Sequence, residues 1–142
     1  MKTVILMRHT EVQALEDTPR ELQPISLDGV MAAKALFKAP AFESVTQVWA
    51  STCRRAYETA MIFDGGVTLD SRLDEDSSKE KIGSFVDEVL RGLGDGEAAL
   101  AVSHAETIGA YLGSSGEMAA PSAFVLGFED GDIKEIRYLE QT

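Results

Sequence analysis

The 142-residue chain contains only two histidines, and each closely follows an apolar run. His9 lies behind Thr3-Val4-Ile5-Leu6-Met7, with Arg8 beside it; His104 lies behind Ala98 to Val102, with Ser103 beside it. A neutral imidazole can attack phosphorus and hold a phosphoryl group covalently. The planar guanidinium of Arg8 offers paired hydrogen bonds that match phosphate oxygens. One histidine can attack while the other donates to those oxygens. A third cluster is Arg54-Arg55, the only adjacent arginines, which open a predicted helix where backbone N–H groups already favour an anion. Consecutive helical residues point about 100° apart, so at most one of the two faces a shared site. Each cluster has a plainer reading by itself: polar residues at a strand end, a helix-start histidine bonded to backbone, a solvated charge pair. Their repeated placement after buried strands argues for chemistry.

The elements that must position these residues alternate in type. Thr3–Met7 is rich in branched apolar residues, as in a strand buried on both faces of a parallel sheet. Residues 12–25 read as a polar loop with two prolines. Ser26 is a helix N-cap, Val30, Ala33, Leu36 and Phe37 follow at helical spacing, and Pro40 closes the helix. Thr46–Ala50 reads as a second strand ending at Ser51-Thr52, and 54–63 as a helix. Val67–Leu69 suits a short strand, 70–81 an acidic loop, and Ile82–Leu93 an amphipathic helix. Ala98–Val102 is another strand, followed by a helix from about Glu106 to Leu112 with Gly113 as its C-cap. Ala123–Phe128 and Ile133–Leu139 flank Glu129-Asp130-Gly131-Asp132, the pattern of a hairpin. The order implies an α/β three-layer sandwich: a mostly parallel central sheet, helices on both faces, and an antiparallel C-terminal hairpin. In such sheets ligands bind beyond the carboxyl ends of the strands, where Arg8-His9, Ser51 through Arg55 and Ser103-His104 all fall.

Bulk properties narrow the classes. The length fits one domain spanning 1–142. Thirteen Lys and Arg against 24 Asp and Glu leave a net charge of −11, which argues against nucleic-acid partners. A phosphate site in so acidic a protein must concentrate its few cations locally. No apolar run approaches the roughly 18 residues of a spanning helix. The single Cys53 forms no internal disulfide, which fits a reducing compartment. A cytoplasmic protein without membrane contact is expected. There is no P-loop motif and no His/Cys cluster at zinc spacing. Six residues after Cys53 stands Thr59, not the Arg of a cysteine-phosphatase loop. Gly113-Ser114-Ser115-Gly116 reads as a turn rather than a phosphate cradle, and Met31 and Met61 as packing residues.

Four ordered segments resemble one family. Leu6-Met7-Arg8-His9-Thr10-Glu11 is similar to the R-H-G-E signature of the histidine phosphatase superfamily, the phosphoglycerate-mutase-like enzymes. Ile25-Ser26-Leu27-Asp28-Gly29 resembles its L-[ST]-x-x-G, and Ser51 through Ala60 its S-P-x-x-R-A-x-[QE]-T-A. Val102-Ser103-His104-Ala105 resembles its V-S-H-[GA]. The resemblance implies that His9 carries a transient phosphoryl group and that Arg8, Arg55 and His104 bind its oxygens. The match to Arg-Ala-x-x-Thr-Ala selects Arg55 over Arg54. It also implies a carboxylate proton donor in an L-x-E segment. Leu73-Asp74-Glu75 fits, giving Glu75, with Asp74, Asp76 and Glu11 as rivals.

Two positions depart from the pattern. Thr10 replaces a small residue after the histidine. Its β-branched side chain can crowd the pocket, or its hydroxyl can donate to a phosphate oxygen. Thr52 replaces a Pro, a change expected to be harmless. The stretch between Arg55 and Ala101 leaves no room for a large lid, so the chain looks like the short bacterial branch that includes phosphohistidine phosphatases. A phosphorylated small molecule or phosphoprotein is the expected partner, with no cofactor and no metal. The rivals are a catalytically weak phosphate-binding module and a small-metabolite phosphatase or mutase.

Overall fold

A computed structural model describes residues 1–114 and 117–140. Its centre is a six-stranded sheet of β1 (Lys2–Arg8), β2 (Val45–Ala50), β3 (Val67–Leu69), β4 (Ala98–Ser103), β5 (Ser122–Glu129) and β6 (Asp132–Glu140). The spatial order is β3-β2-β4-β1-β5-β6. The pairs β1–β4, β2–β4 and β2–β3 run parallel; β1–β5 and β5–β6 run antiparallel. Parallel strands need crossovers, and three helices supply them: α1 (Leu27–Leu36), α2 (Arg54–Phe63) and α3 (Lys79–Gly92); α4 (Ala105–Leu112) leads from β4 into antiparallel β5.

Strand side chains alternate between the faces, so each central strand feeds two cores. Val4, Leu6, Ala99, Ala101, Leu126 and Phe128 pack against Ile82, Phe85, Val86 and Val89 of α3 and Ile108 of α4. Ile5, Met7, Val48, Ala50, Leu100 and Val102 pack against Leu36 of α1 and Ala56 and Ala60 of α2. Val4 through Met7 are fully buried, as a run without polar alternation requires. The three-layer α/β sandwich with its C-terminal hairpin is thus the observed fold. At the hairpin tip Asp130 and Gly131 take φ of 52° and 82°, the left-handed pair that a two-residue hairpin turn needs.

Several local expectations change. Residues 70–81 are not a continuous loop. Asp70 caps a 3-10 turn over Ser71–Leu73, and Leu73 is fully buried. Ser78 caps α3 by accepting from the Lys81 N–H, so that helix begins three residues before the predicted Ile82. The polar first turn hid this start, because the apolar period begins only where the helix meets the core. A 3-10 turn over Arg20–Leu22 likewise interrupts the predicted 12–25 loop. Met31 and Met61 are 62% and 43% exposed, so neither is a packing residue. In α1 the buried stripe is Gly29, Ala33 and Leu36, with Val30 and Phe37 only partly covered. Gly113 does take the left-handed C-cap conformation, at φ 72°. Ser115 and Gly116 of the predicted Gly-Ser-Ser-Gly turn lie outside the described residues. No described helix is long and apolar enough to cross a membrane.

Candidate active site

The register of the sheet brings the two histidines together. Arg8 of β1 lies level with Ser103 of β4 in the parallel pairing, so the next residues, His9 and His104, leave the sheet side by side. Their rings meet edge to face, 5.3 Å between centroids. Ala50 of β2 pairs with Val102 of β4, and the Ser51 N–H continues the ladder to the Val102 carbonyl at 2.9 Å. The end of β2 therefore places Ser51 beside His104 and starts α2 next to His9. A cleft of about 370 Å³ opens there, lined by Arg8, His9, Thr10, Glu11, Val12, Arg20, Gln23, Arg55, Glu75, His104, Ala105, Glu106 and Ala120.

The bonding partners of His9 fix its tautomer. Nδ1 is 2.8 Å from the Thr10 carbonyl, which can only accept, so Nδ1 carries the hydrogen. Nε2 then presents a lone pair, which accepts from Arg55 Nε at 3.2 Å. Burial pushes the His9 pKa down to about 4, opposed by the Thr10 carbonyl bond and aided by the charges of Arg55 and Arg8. The ring is neutral near pH 7, with its Nε2 lone pair held by Arg55 at the cleft.

Arg55 is 3% exposed and fully engaged. Besides its bond to His9, Nη1 donates to the Arg20 carbonyl at 3.0 Å and Nη2 to Glu75 Oε2 at 2.7 Å. Arg54 faces outward, pairs with Glu58 at 3.2 Å on its own helix, and does not line the cleft. The other motif residues of α2 have local tasks. The Glu58 carboxylate accepts from the Ile25 N–H at 3.1 Å, and the Thr59 hydroxyl oxygen accepts from the Thr10 N–H at 3.1 Å. Ala56 and Ala60 let the helix lie close on the sheet.

Arg8 donates from Nη1 to the Met118 carbonyl, while its Nε is buried without a partner. A buried, unsatisfied guanidinium donor is costly, and an anion oxygen would satisfy it.

A relay holds His104. Its Nε2 is 3.0 Å from Ser51 Oγ, and Ser51 Oγ–H donates to Asp74 Oδ1 at 2.7 Å. The serine hydrogen is therefore committed to the carboxylate, so His104 Nε2 is the donor to Ser51. Burial, with the charges of His9 and Arg55, pushes the His104 pKa down to about 3. Asp74 also accepts from Thr52, at 2.9 Å from both its backbone N–H and its hydroxyl. A proline at 52 has neither donor, so this departure from the family pattern is not a neutral one. Asp74, a rival for the proton donor, is instead bonded to Ser51 and Thr52.

Thr10 does not offer its hydroxyl to the cleft as expected. Oγ1 donates to the Gly29 carbonyl at 2.7 Å, and the residue is fully buried. The hydroxyl's one hydrogen is used there, and the side chain wedges β1 against α1. The fit is close. A Cβ added at Gly29 would stand 2.6 Å from the Glu11 carbonyl oxygen and 3.0 Å from Thr10 Cγ2, so only glycine fits. Ser26 completes the joint: its hydroxyl accepts from the Gly29 N–H at 2.9 Å and donates to Glu11 Oε1 at 3.0 Å.

Glu75 lines the cleft but is bridged between two arginines, Oε1 to Arg20 at 2.6 Å and Oε2 to Arg55 at 2.7 Å. Asp76 does not line the cleft. Two charged cleft residues escaped the sequence reading. Arg20 sat in a stretch read as featureless loop. Glu106 was taken only as the start of a helix, though its place two residues after His104 was a usable signal.

The comparisons with known proteins fit this geometry. No curated protein matches the chain. Among solved structures, the protein histidine phosphatase SixA complexed with tungstate is 16% identical and superposes with a TM-score of 0.80, covering 97% of this chain and 96% of that one. YhfR of Bacillus stearothermophilus is 17% identical at TM-score 0.70, covering 94% of each chain. A phosphoserine phosphatase of Entamoeba histolytica in complex with 3-phosphoglyceric acid is 15% identical at 0.71, covering 100% and 98%. At these identities the likeness is one of fold. The sequence itself matches the model of the histidine phosphatase superfamily (branch 1) over residues 4–78, more than half its length. That stretch carries most of β1, Arg8 and His9, and the segment from Ser51 to Ala60, and it places the chain in the histidine phosphatase superfamily.

Proposed function

We propose that the protein is a phosphatase that works through a covalent phosphohistidine on His9 and hydrolyses a phosphorylated protein side chain, phosphohistidine first among them. The reading rests on one observation above others: the Nε2 lone pair of a neutral His9 sits between Arg55 and His104 in a cleft that Arg8 also lines.

In the first half-reaction Nε2 attacks phosphorus in line and the leaving group departs toward the mouth. Positive charge then grows on the imidazole, and the Nδ1–H bond to the Thr10 carbonyl steadies it. Arg55 and Arg8 meet the charge on the equatorial oxygens, while His104, its one N–H held by Ser51, packs beside His9 on the floor. Water then attacks the phosphohistidine and releases phosphate. No metal step is invoked. The open cleft supports a protein side chain as substrate, as does the likeness to a protein histidine phosphatase. A catalytically weak binding module gains little from Thr10, whose side chain packs on Gly29 instead of filling the cleft.

The test is rapid-quench labelling with a 32P-phosphohistidine protein or an aryl phosphate, in EDTA. Acid-labile, alkali-stable label should appear on the wild type and be absent from His9→Ala. Full labelling of His9→Ala removes His9 as nucleophile. Failure of the wild type to label or turn over either donor removes the phosphatase reading.

A further inference from the structure

The proposed reaction needs a group that gives a proton to a basic leaving oxygen and later takes one from water. We propose that Glu106, not Glu75, is that group. The inference rests on the phosphohistidine mechanism above and assigns one of its steps.

Three carboxylates line the cleft, from Glu11, Glu75 and Glu106. Both oxygens of Glu75 accept from guanidinium groups, and its partner Arg55 is itself bonded to the nucleophile. To carry a proton Glu75 would have to release Arg20 or Arg55, loosening the phosphate clamp at the moment it is needed. Glu11 bonds Ser26 through Oε1 and belongs to the joint that seats Gly29. Glu106 makes no ion pair or hydrogen bond among the contacts of the described residues.

Position favours it as well. In-line displacement puts the leaving oxygen opposite the attacking nitrogen. His9, Arg55 and His104 form the buried floor, so the leaving group points outward, where Glu106 is exposed at the cleft wall. Glu106 is held there firmly. It lies in the first turn of α4, immediately before Thr107, whose hydroxyl donates to the Asp74 carbonyl at 2.7 Å and so fixes the turn to the opposite wall. It is also near enough for its charge to act on His9.

The proton balance closes. Glu106 enters the first half-reaction carrying a proton drawn from solvent. The Nε2–P bond forms, the P–O bond to the leaving group breaks, and the Glu106 proton passes to the departing oxygen. In the second half the water oxygen bonds phosphorus, the N–P bond breaks, and the water proton returns to Glu106. An imidazole leaving group, with a reference pKa of about 6.5, needs this help far less than an alkoxide does.

Single-turnover kinetics on an alkyl phosphate and on 4-nitrophenyl phosphate test the assignment in Glu106→Gln, Glu75→Gln and Glu11→Gln. Glu106→Gln should lose about 10²–10⁴-fold on the alkyl ester and less than about tenfold in His9 labelling by the aryl ester, whose leaving group needs no proton. Glu106 is exposed, so the variant should keep the wild-type far-ultraviolet dichroism. Glu75→Gln should lose similar factors on both esters, and Glu11→Gln little on either. Equal losses for Glu106→Gln on the two esters, or a leaving-group-dependent loss in Glu75→Gln or Glu11→Gln, would overturn the assignment. If the wild type labels on His9 and Glu106→Gln matches it on the alkyl ester, only the assignment to Glu106 fails. If the wild type never labels, the phosphatase reading fails and takes this step with it.

Discussion

The floor and the rim of the cleft are built from different kinds of residue. At the floor His9, Arg55 and His104 are 9%, 3% and 2% exposed, and each leaves the end of a buried strand or the first turn of a helix. At the rim Glu11, Arg20 and Glu106 face solvent, two of them ahead of α1 and one on α4. The floor is positioned by sheet register, which the core over-determines. The rim is positioned by a few polar contacts, of which the Arg20–Glu75–Arg55 chain is the main one. Buried polar donors in a low dielectric are worth far more than exposed pairs. Floor substitutions should therefore act on the transition state, and most rim substitutions on substrate choice and approach.

The largest expected effect tests that contrast on adjacent residues. Arg55→Ala should lower kcat/KM by at least about 10²–10³, the scale of losing one aimed donor to developing charge. Arg54→Ala, which loses its exposed pair with Glu58 and a long exposed bond to the Leu22 carbonyl, should stay within about threefold, since exposed pairs are worth at most about 1 kcal/mol. Steady-state kinetics on an aryl phosphate measure both. A larger loss for Arg54→Ala would mean that the floor is not where the sheet register places it.

The floor also predicts a pH dependence. Both histidines are held neutral in the folded protein, at about 4 and about 3, against an unfolded value of about 6.5. Between those limits the unfolded chain binds more protons. Stability is then fully present above about pH 6.5 and falls on acidification, by up to about 1.4 kcal/mol per pH unit for each histidine. Urea midpoints at pH 7 and pH 5 should show the drop, and His104→Asn should reduce it. The acid limb of kcat/KM should lie near pH 4, where Nε2 of His9 takes up a proton and loses its lone pair. An acid limb near pH 6.5 would show His9 to be solvated like a rim residue.

A smaller effect should come from the contact between the regions. Asp74 belongs to the wall segment that also carries Glu75, yet it holds His104 through Ser51. Asp74→Asn keeps the shape but weakens the pull on the serine hydrogen, freeing that hydroxyl to turn toward His104. About a tenfold loss of kcat with little change in KM is expected, the scale of one weakened hydrogen bond. Ser51→Ala should match it, and the double variant should be no worse than either single, because the residues act in series.

The same division explains what the sequence made legible. β1, β2, β4 and the hairpin announced themselves through unbroken or alternating apolar runs, and the clusters after them followed from the general rule for parallel sheets. Arg55 was separated from Arg54 only by its motif, and the burial of one against the exposure of the other agrees. The rim left no such trace. The turn over Arg20–Leu22 buries nothing, so no apolar period marks it, and Arg20 joins the site through partners far along the chain, its side chain to Glu75 and its carbonyl to Arg55. Leu73-Asp74-Glu75 pointed to Glu75 by its motif but left Asp74 a rival, because side-chain direction in an irregular segment follows from contacts no local pattern encodes.

Thr10 sits where floor meets rim, and its substitutions should show the smallest effects. A hydroxyl facing the cleft would make Thr10→Ala primarily an activity variant. A hydroxyl bonded to Gly29 makes it a stability variant, and that bond is buried at 2.7 Å. Thr10→Ala removes the donor to the Gly29 carbonyl and the methyl that packs on α1, so unfolding should cost about 1–3 kcal/mol less. Activity at 25 °C should stay within about threefold, since the bonds that orient His9 run through the Thr10 backbone: its carbonyl to Nδ1, its N–H to Thr59. Thr10→Ser keeps the hydroxyl and drops only the methyl, and should recover the hydrogen-bond share of the loss, about 1 kcal/mol. Urea unfolding beside kcat/KM separates the two outcomes. An Ala variant as stable as the wild type yet 10²-fold slower would place the hydroxyl in the phosphate site after all and move Thr10 to the floor.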